Sequence, residues 1–127
     1  MRKTFTKEER LCSNLLLNRL FQDGSSFVVY PFRIVFLPID QPLPQRVQVV
    51  ISVSKRKFKR AHERNRIKRK TREAYRLQKG TLLYPAIQQS AKNIIMAIQY
   101  IANDDLPYAQ MQNSIRKALI KLADEVA

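Results

Sequence analysis

The stretch RNRIKRKTREAYR, residues 64–76, places seven arginines and lysines in thirteen positions. The chemistry open to such residues is phosphate binding: an arginine fork meets two phosphate oxygens at once, and a lysine ammonium supplies a point charge. Side-chain catalysis needs other groups, and these are sparse. Cys12 is the only cysteine and His62 the only histidine, so neither a disulfide framework nor a Cys/His zinc site can be assembled. The acids are scattered as Glu8 and Glu9, Asp23, Asp40, Glu63, Glu73, Asp104 and Asp105, and Asp124 and Glu125, with no grouping that reads as a two-metal site. Glu9 reads as a helix cap and Glu63 and Glu73 as partners of the neighbouring arginines. Asp104 and Asp105 precede a helix start, where acids are favoured. His62 acting as a general base would need a second proton-transfer group, and none is evident, so it reads as an RNA contact or a solvated turn residue. Cys12 is expected to pack on or beside the first helix.

On a helical wheel at 100° per residue, Asn65, Lys68, Arg69, Arg72 and Arg76 fall within an arc of about 100°, opposite Ile67, Thr71 and Ala74. The charge is one-sided. It begins before the helix, because residues 55–76 hold 12 of the chain's 24 cations against only Glu63 and Glu73. Like charges at i, i+4, such as Lys68, Arg72 and Arg76, cost a few tenths of a kcal/mol each in an isolated helix, and a polyphosphate would remove that cost. A solvated helix face or a nuclear-localisation-type patch has the same composition, but the density and sidedness favour a nucleic-acid surface. No helix-turn-helix spacing, zipper heptads or zinc ligands accompany the helix, so DNA is not the expected partner. Arginine supplies seven of the 12 cations and suits structured RNA, where its plane both binds phosphate and stacks on bases.

The elements that must hold this helix come from one domain, residues 1–127. The chain has 45% apolar residues, two glycines, no repeat and no low-complexity tract. Its formal charge of +14 suits a polyanionic partner, with an anionic membrane surface second. No stretch approaches the roughly 20 apolar residues of a membrane span, and the first residues lack a signal peptide's apolar run, so a cytoplasmic protein without membrane association is expected. Thr6 and Glu9 form a capping-box pattern, and Leu11, Leu15, Leu17, Leu20 and Phe21 follow at near-helical spacing up to Asp23 and Gly24, predicting a helix over 7–22. Strands are predicted at 26–30, 32–38 and 47–53. A basic helix should run from Ala61 or Glu63 to about Gln78 and end at Gly80. A buried strand is expected at 93–102 and a last helix from Pro107 with Met111, Ile115, Ala118, Leu119 and Leu122 on its apolar stripe. The order is αβββαβα.

RNRIKRKTREAYR preceded by SVSKRKFKRA resembles the signature of the bacterial ribonuclease P protein subunit: a Ser-Val-Ser-Lys strand end, an Arg-Asn-Arg helix, and Lys-Arg and Arg-Glu-Ala-aromatic-Arg behind it. FTKEERLCSNLLLNRLFQDGSSF is similar to that family's first helix and its Phe-x-x-Gly ending, and NIIMAIQYIAN sits where the family has its last strand. Two departures stand out. Phe58 and neighbouring cations occupy a loop where the family often has a glycine, and Leu17 stands where it often has an aromatic residue.

The resemblance implies an α+β two-layer αβββαβα sandwich whose four-stranded mixed sheet carries a left-handed βαβ crossover, against the usual hand. It also implies that a separate catalytic RNA, with bound Mg²⁺, cleaves the 5' leader from precursor tRNA, while the protein is an accessory subunit without catalytic side chains, one copy per RNA. Arg64, Asn65, Arg66, Lys68, Arg69, Arg72 and Arg76 match the signature helix and would face the catalytic RNA, with Asn65 reaching a metal-bound water. Lys55 and Arg56 with Ser52 and Ser54 match the leader-binding cleft. Leu17 and Phe21 would line that cleft from the first helix, Phe21 as a stacking face; plain core packing is the other reading of Phe21. Phe32 and Phe36 share one face of their strand, which could be cleft or core. A structural RNA-binding protein and a protein-only nuclease are the alternatives from other classes.

Overall fold

The computed structural model describes residues 5–126. Alternation within the strands explains the architecture. In β2 (Phe32–Ile39), Phe32, Ile34 and Phe36 point to one side of the sheet, and Val35 and Ile39 point to the other. In β4 (Asn93–Tyr100), Ile94, Met96, Ile98 and Tyr100 alternate in the same way with Ile95 and Ala97. A strand apolar on both faces must be covered on both, and these two are the central strands of the sheet, whose order is β1-β2-β4-β3. The edge strands β1 (Ser25–Val29) and β3 (Val47–Val53) are more polar on one face, with Ser26, Ser52 and the exposed Val28 there. β1 and β4 run antiparallel to β2, and β3 runs parallel to β4, so the sheet is mixed.

The larger core lies under α2 (Ala61–Leu82) and α4 (Tyr108–Val126). Ile67, Ala74 and Tyr75 from α2 meet Met111, Ile115, Ala118, Leu119 and Leu122 from α4 over Phe32, Ile34 and Phe36, all in one buried cluster. Each large side chain buried there contributes roughly 1.5–3 kcal/mol. Phe32 and Phe36 are therefore core. The second cluster sits on the opposite face, where Leu16 and Leu20 of α1 (Asn14–Asp23) pack on Val35, Ile39, Ile95 and Ala97 together with Leu11.

The architecture is the expected α+β fold, with three differences in its elements. The first predicted helix is two pieces. The Thr6–Glu9 capping box forms, but it closes only a 3-10 turn at Lys7–Glu9; Arg10 is extended and bridges Val49 of β3, and the Leu11 amide donates to the Val49 carbonyl at 2.9 Å. These backbone groups satisfy an otherwise bare sheet edge instead of a helix. The true helix starts at Ser13, whose hydroxyl accepts from the Leu16 amide at 3.3 Å. Second, Gly80 does not end α2: it is buried within the last turn without a positive φ, and the helix runs on to Leu82. Third, a short helix α3 (Tyr84–Gln89) follows, with Pro85 in its first turn.

Candidate nucleic-acid interface

The basic helix α2 buries Ile67, Thr71, Ala74 and Tyr75 and turns its charged side outward. Thr71 is accommodated mid-helix because its hydroxyl donates to the Ile67 carbonyl at 2.9 Å. The cations on its flanks then divide by partner. Arg64 donates to the carbonyls of Phe58 at 2.8 Å and Lys59 at 2.9 Å, fastening the loop that precedes the helix. Arg66 and Lys70 both pair with Asp105, at 2.6 and 2.5 Å, and Lys70 also donates to the Leu106 carbonyl at 2.8 Å. Arg66 thus faces the start of α4 and not the arc of Lys68 and Arg72. Burial pushes the Asp105 carboxyl up, but the hydrogen bonds and charges of Lys70 and Arg66 outweigh it and hold the group below its ordinary value. Asp105 is a two-cation clasp rather than a simple helix-start acid. Arg76 pairs with Glu73.

Lys68, Arg69 and Arg72 have no carboxylate partner among the described residues, and the Nε of Arg72 is buried without an acceptor. Three neighbouring cations on one helix face without anions form a surface complementary to phosphate. Asn65 is exposed beside them. Among the described residues, no group of three or more His, Cys, Asp or Glu comes together to hold a metal ion.

The loop between β3 and α2 extends the positive surface. Ser54 lies just past the strand, and its hydroxyl accepts from the amides of Arg56 at 3.2 Å and Lys57 at 3.3 Å, leaving Lys55 and Arg56 exposed. Phe58 is buried with its ring 6.0 Å from that of Tyr100, so it anchors the loop in the core, and no residue of the loop adopts a positive φ.

On the α1 side of the sheet, register aligns Val28, Arg33, Gln99 and Ser52 in one row across the four strands. Val28, Arg33 and Ser52 are exposed there, beyond the part of the sheet that α1 covers. Phe21 on α1 is 53% exposed, which decides against core packing, while Leu17 is half-buried against the smaller cluster. Leu17, Phe21 and Ser52 thus belong to the α1-bearing side of the sheet, and Lys55 and Arg56 continue from its edge strand. Sequence reading missed Arg33 and Gln99, although a polar residue inside an apolar strand such as FRIVF is a usable signal for an open sheet face. It also missed Arg10, which the assumed helix had placed elsewhere.

No helix among the described residues is long and apolar enough to cross a membrane. A family model described as Ribonuclease P matches residues 5–123. A ribonuclease P protein component of Porphyromonas gingivalis is 37% identical over 123 residues, covering 95% of this chain and 88% of that protein. One from Haemophilus influenzae is 31% identical, with 95% of both chains covered. Among solved structures, the RNase P protein of Staphylococcus aureus superimposes with a TM-score of 0.65 at 29% identity, covering 95% of this chain and all of that one. The RNase P protein of Thermotoga maritima shares the fold, with a TM-score of 0.64 at 20% identity. With the one-sided basic helix, the mixed four-stranded sheet and a match running almost end to end, the chain belongs to the ribonuclease P protein family.

Proposed function

We propose that this protein is the RNA-binding subunit of a ribonuclease P ribonucleoprotein that removes the 5' leader of precursor tRNA, with cleavage performed by the catalytic RNA. The observation that carries this reading is the set Lys68, Arg69 and Arg72, which have no carboxylate partner among the described residues and lie together on the signature helix. In this reading α2 lies on the catalytic RNA and Asn65 reaches a water of a metal ion that the RNA holds. Arg64 acts by shaping the loop before the helix, and Arg66 and Arg76 add charge at its margins. The leader lies across the row Arg33, Gln99 and Ser52 with Phe21 as a stacking face, and Lys55 and Arg56 neutralise its phosphates; aromatic stacking at such sites contributes about 1–3 kcal/mol per base. Mg²⁺ supplies the nucleophilic water and leaving-group stabilisation when bound by the RNA. The protein's part is positioning and charge neutralisation, in one copy per RNA.

The test is leader cleavage of a precursor tRNA at low Mg²⁺ with the protein alone, a bacterial catalytic RNA alone, and both together. The expected result is cleavage that requires the RNA and is strongly raised by the protein. Salt-sensitive RNA binding without stimulation would assign the protein to structural RNA binding, and cleavage by the protein alone would make it a nuclease in its own right.

A further inference from the structure

The sheet has two edges, and the chain treats them differently. On the β3 edge, Arg10 bridges Val49 and the Leu11 amide donates to the Val49 carbonyl, so the chain itself covers part of that edge. On the β1 edge, no segment among the described residues pairs with the outer side. In a strand with a single partner, alternate residues turn an N–H and a C=O away from the sheet. The usual safeguards against a second strand there are a charge, a proline or a bulge. Ser25–Val29 has no charge and no proline and pairs with β2 in unbroken register. Apolar surface accompanies the open backbone, with Val28 59% and Tyr30 58% exposed. Helix α4 runs along the same edge. The Ser114 hydroxyl donates to the Tyr30 carbonyl at 2.8 Å, and the Lys121 ammonium lies 5.3 Å from the centre of the Phe27 ring, so the helix is antiparallel to β1. Lys117 falls between these two contacts on the same stripe of the helix. Both lysines are exposed, and neither makes an ion pair among the described residues. On the other face of the sheet, the exposed Arg33 is the register partner of Val28. Asp23, Asp124 and Glu125 lie toward the Ser25 end, so the positive stretch runs from Phe27 to Tyr30.

We propose that the β1 edge is a docking site for an extended acidic segment of a partner protein, which joins the four-stranded sheet as an added strand. The open ladder calls for a backbone with its own N–H and C=O groups at strand spacing, which a peptide supplies and a nucleic acid does not. Side chains of an added strand alternate between the two faces of the sheet. Acidic ones on the α4 side meet Lys117 and Lys121, and apolar ones on the other side pack against Val28 and Tyr30. A second copy of this chain is the poorer occupant, because it carries the same +14 charge and the same unpaired lysines. The edge lies across the sheet from β3, beside which α2 packs, and its use needs no RNA, so the inference does not rest on the proposed function.

The probe is a peptide of alternating glutamate and valine, about eight residues long so that it spans the strand. A glutamate-proline peptide of equal charge is the control, since its prolines cannot donate to a ladder. Amide hydrogen exchange is followed by mass in the full chain. At about nine-tenths occupancy by the glutamate-valine peptide, the fast amides of residues 25–29 should slow about tenfold, and the control should leave them unchanged. The double variant Lys117→Glu, Lys121→Glu, checked for native circular dichroism, should bind the peptide about tenfold more weakly. Equal slowing by both peptides, slowing by neither, or unchanged affinity in the double variant overturns the site. Slowing of these amides by single-stranded RNA and not by the peptide makes the edge a nucleic-acid surface and overturns the class of partner. Amides already slow in the free chain, in a species of twice the monomer mass, give the edge to a second copy and overturn the proposal. Leader cleavage is read separately, so the proposed function can fail without this site and this site without it.

Discussion

Glu9 and Lys79 stand 70 positions apart in the chain and meet in the interior, ringed by Phe5, Tyr75 and Tyr84, whose centroids lie 5.5–5.7 Å from the ammonium. Burial pushes the Glu9 carboxyl up, but hydrogen bonds from Lys79, Tyr84 and the Thr6 amide, with the Lys79 charge, hold it below its ordinary value. A depressed folded pKa means that the stabilisation is fully present above the unfolded value near 4.3 and is lost as pH falls through the folded one. Glu9→Gln should therefore destabilise the protein by roughly 3–5 kcal/mol at pH 7, because it removes the carboxylate charge that faces the buried Lys79 ammonium. Urea titrations of both proteins should converge as the pH drops below about 4. The same residue-level logic separates the helix cations. Single alanine substitutions of Lys68, Arg69 or Arg72 should each remove about one charge from the salt slope of RNA binding, measured by filter retention. Arg66→Ala should remove less, since Asp105 already holds its guanidinium.

At the scale of elements, periodic sequence is where the fold was most legible. The strands at Phe32–Ile39 and Val47–Val53 and the basic helix stand where alternation and the 3.6-residue period place them, because burial on one or both faces leaves no other register. What sequence could not reveal depended on distant partners. Leu11 belongs to the apolar pattern of a helix, yet it is buried in extended backbone because Val49 offers a carbonyl and the smaller core offers a pocket. That the signature cations share one side of a helix was legible in their spacing. The division of its cations was not, since nothing local says that Asp105 will reach Arg66 and Lys70. Gly24 marks the joint between α1 and β1. A Cβ there would lie 2.4 Å from the Leu20 carbonyl oxygen and 3.0 Å from that of Phe36, both backbone atoms. Gly24→Ala should destabilise by about 1–3 kcal/mol, read as a lower denaturation midpoint, by forcing the α1–β1 joint open.

For the molecule as a whole, the net charge of +14 is held on a small fold, with 12 of its 24 cations in 22 consecutive residues. Self-repulsion of that kind opposes compaction and is relieved by bound anions. Thermal melts in phosphate or sulfate should therefore show a midpoint higher than in chloride at equal ionic strength, with the gain reduced in a Lys68, Arg69 and Arg72 triple alanine variant. The strand order carries a further consequence, for synthesis. β4 is the last strand made and a central one, pairing with β2 on one side and β3 on the other. As the chain leaves the ribosome, the two halves of the sheet have no common partner until residues 93–100 emerge, although the basic helix at Ala61–Leu82 is already outside. A nascent chain interrupted before Asn93 would carry all the cations of that helix with neither core closed, a polycation without a platform to orient it.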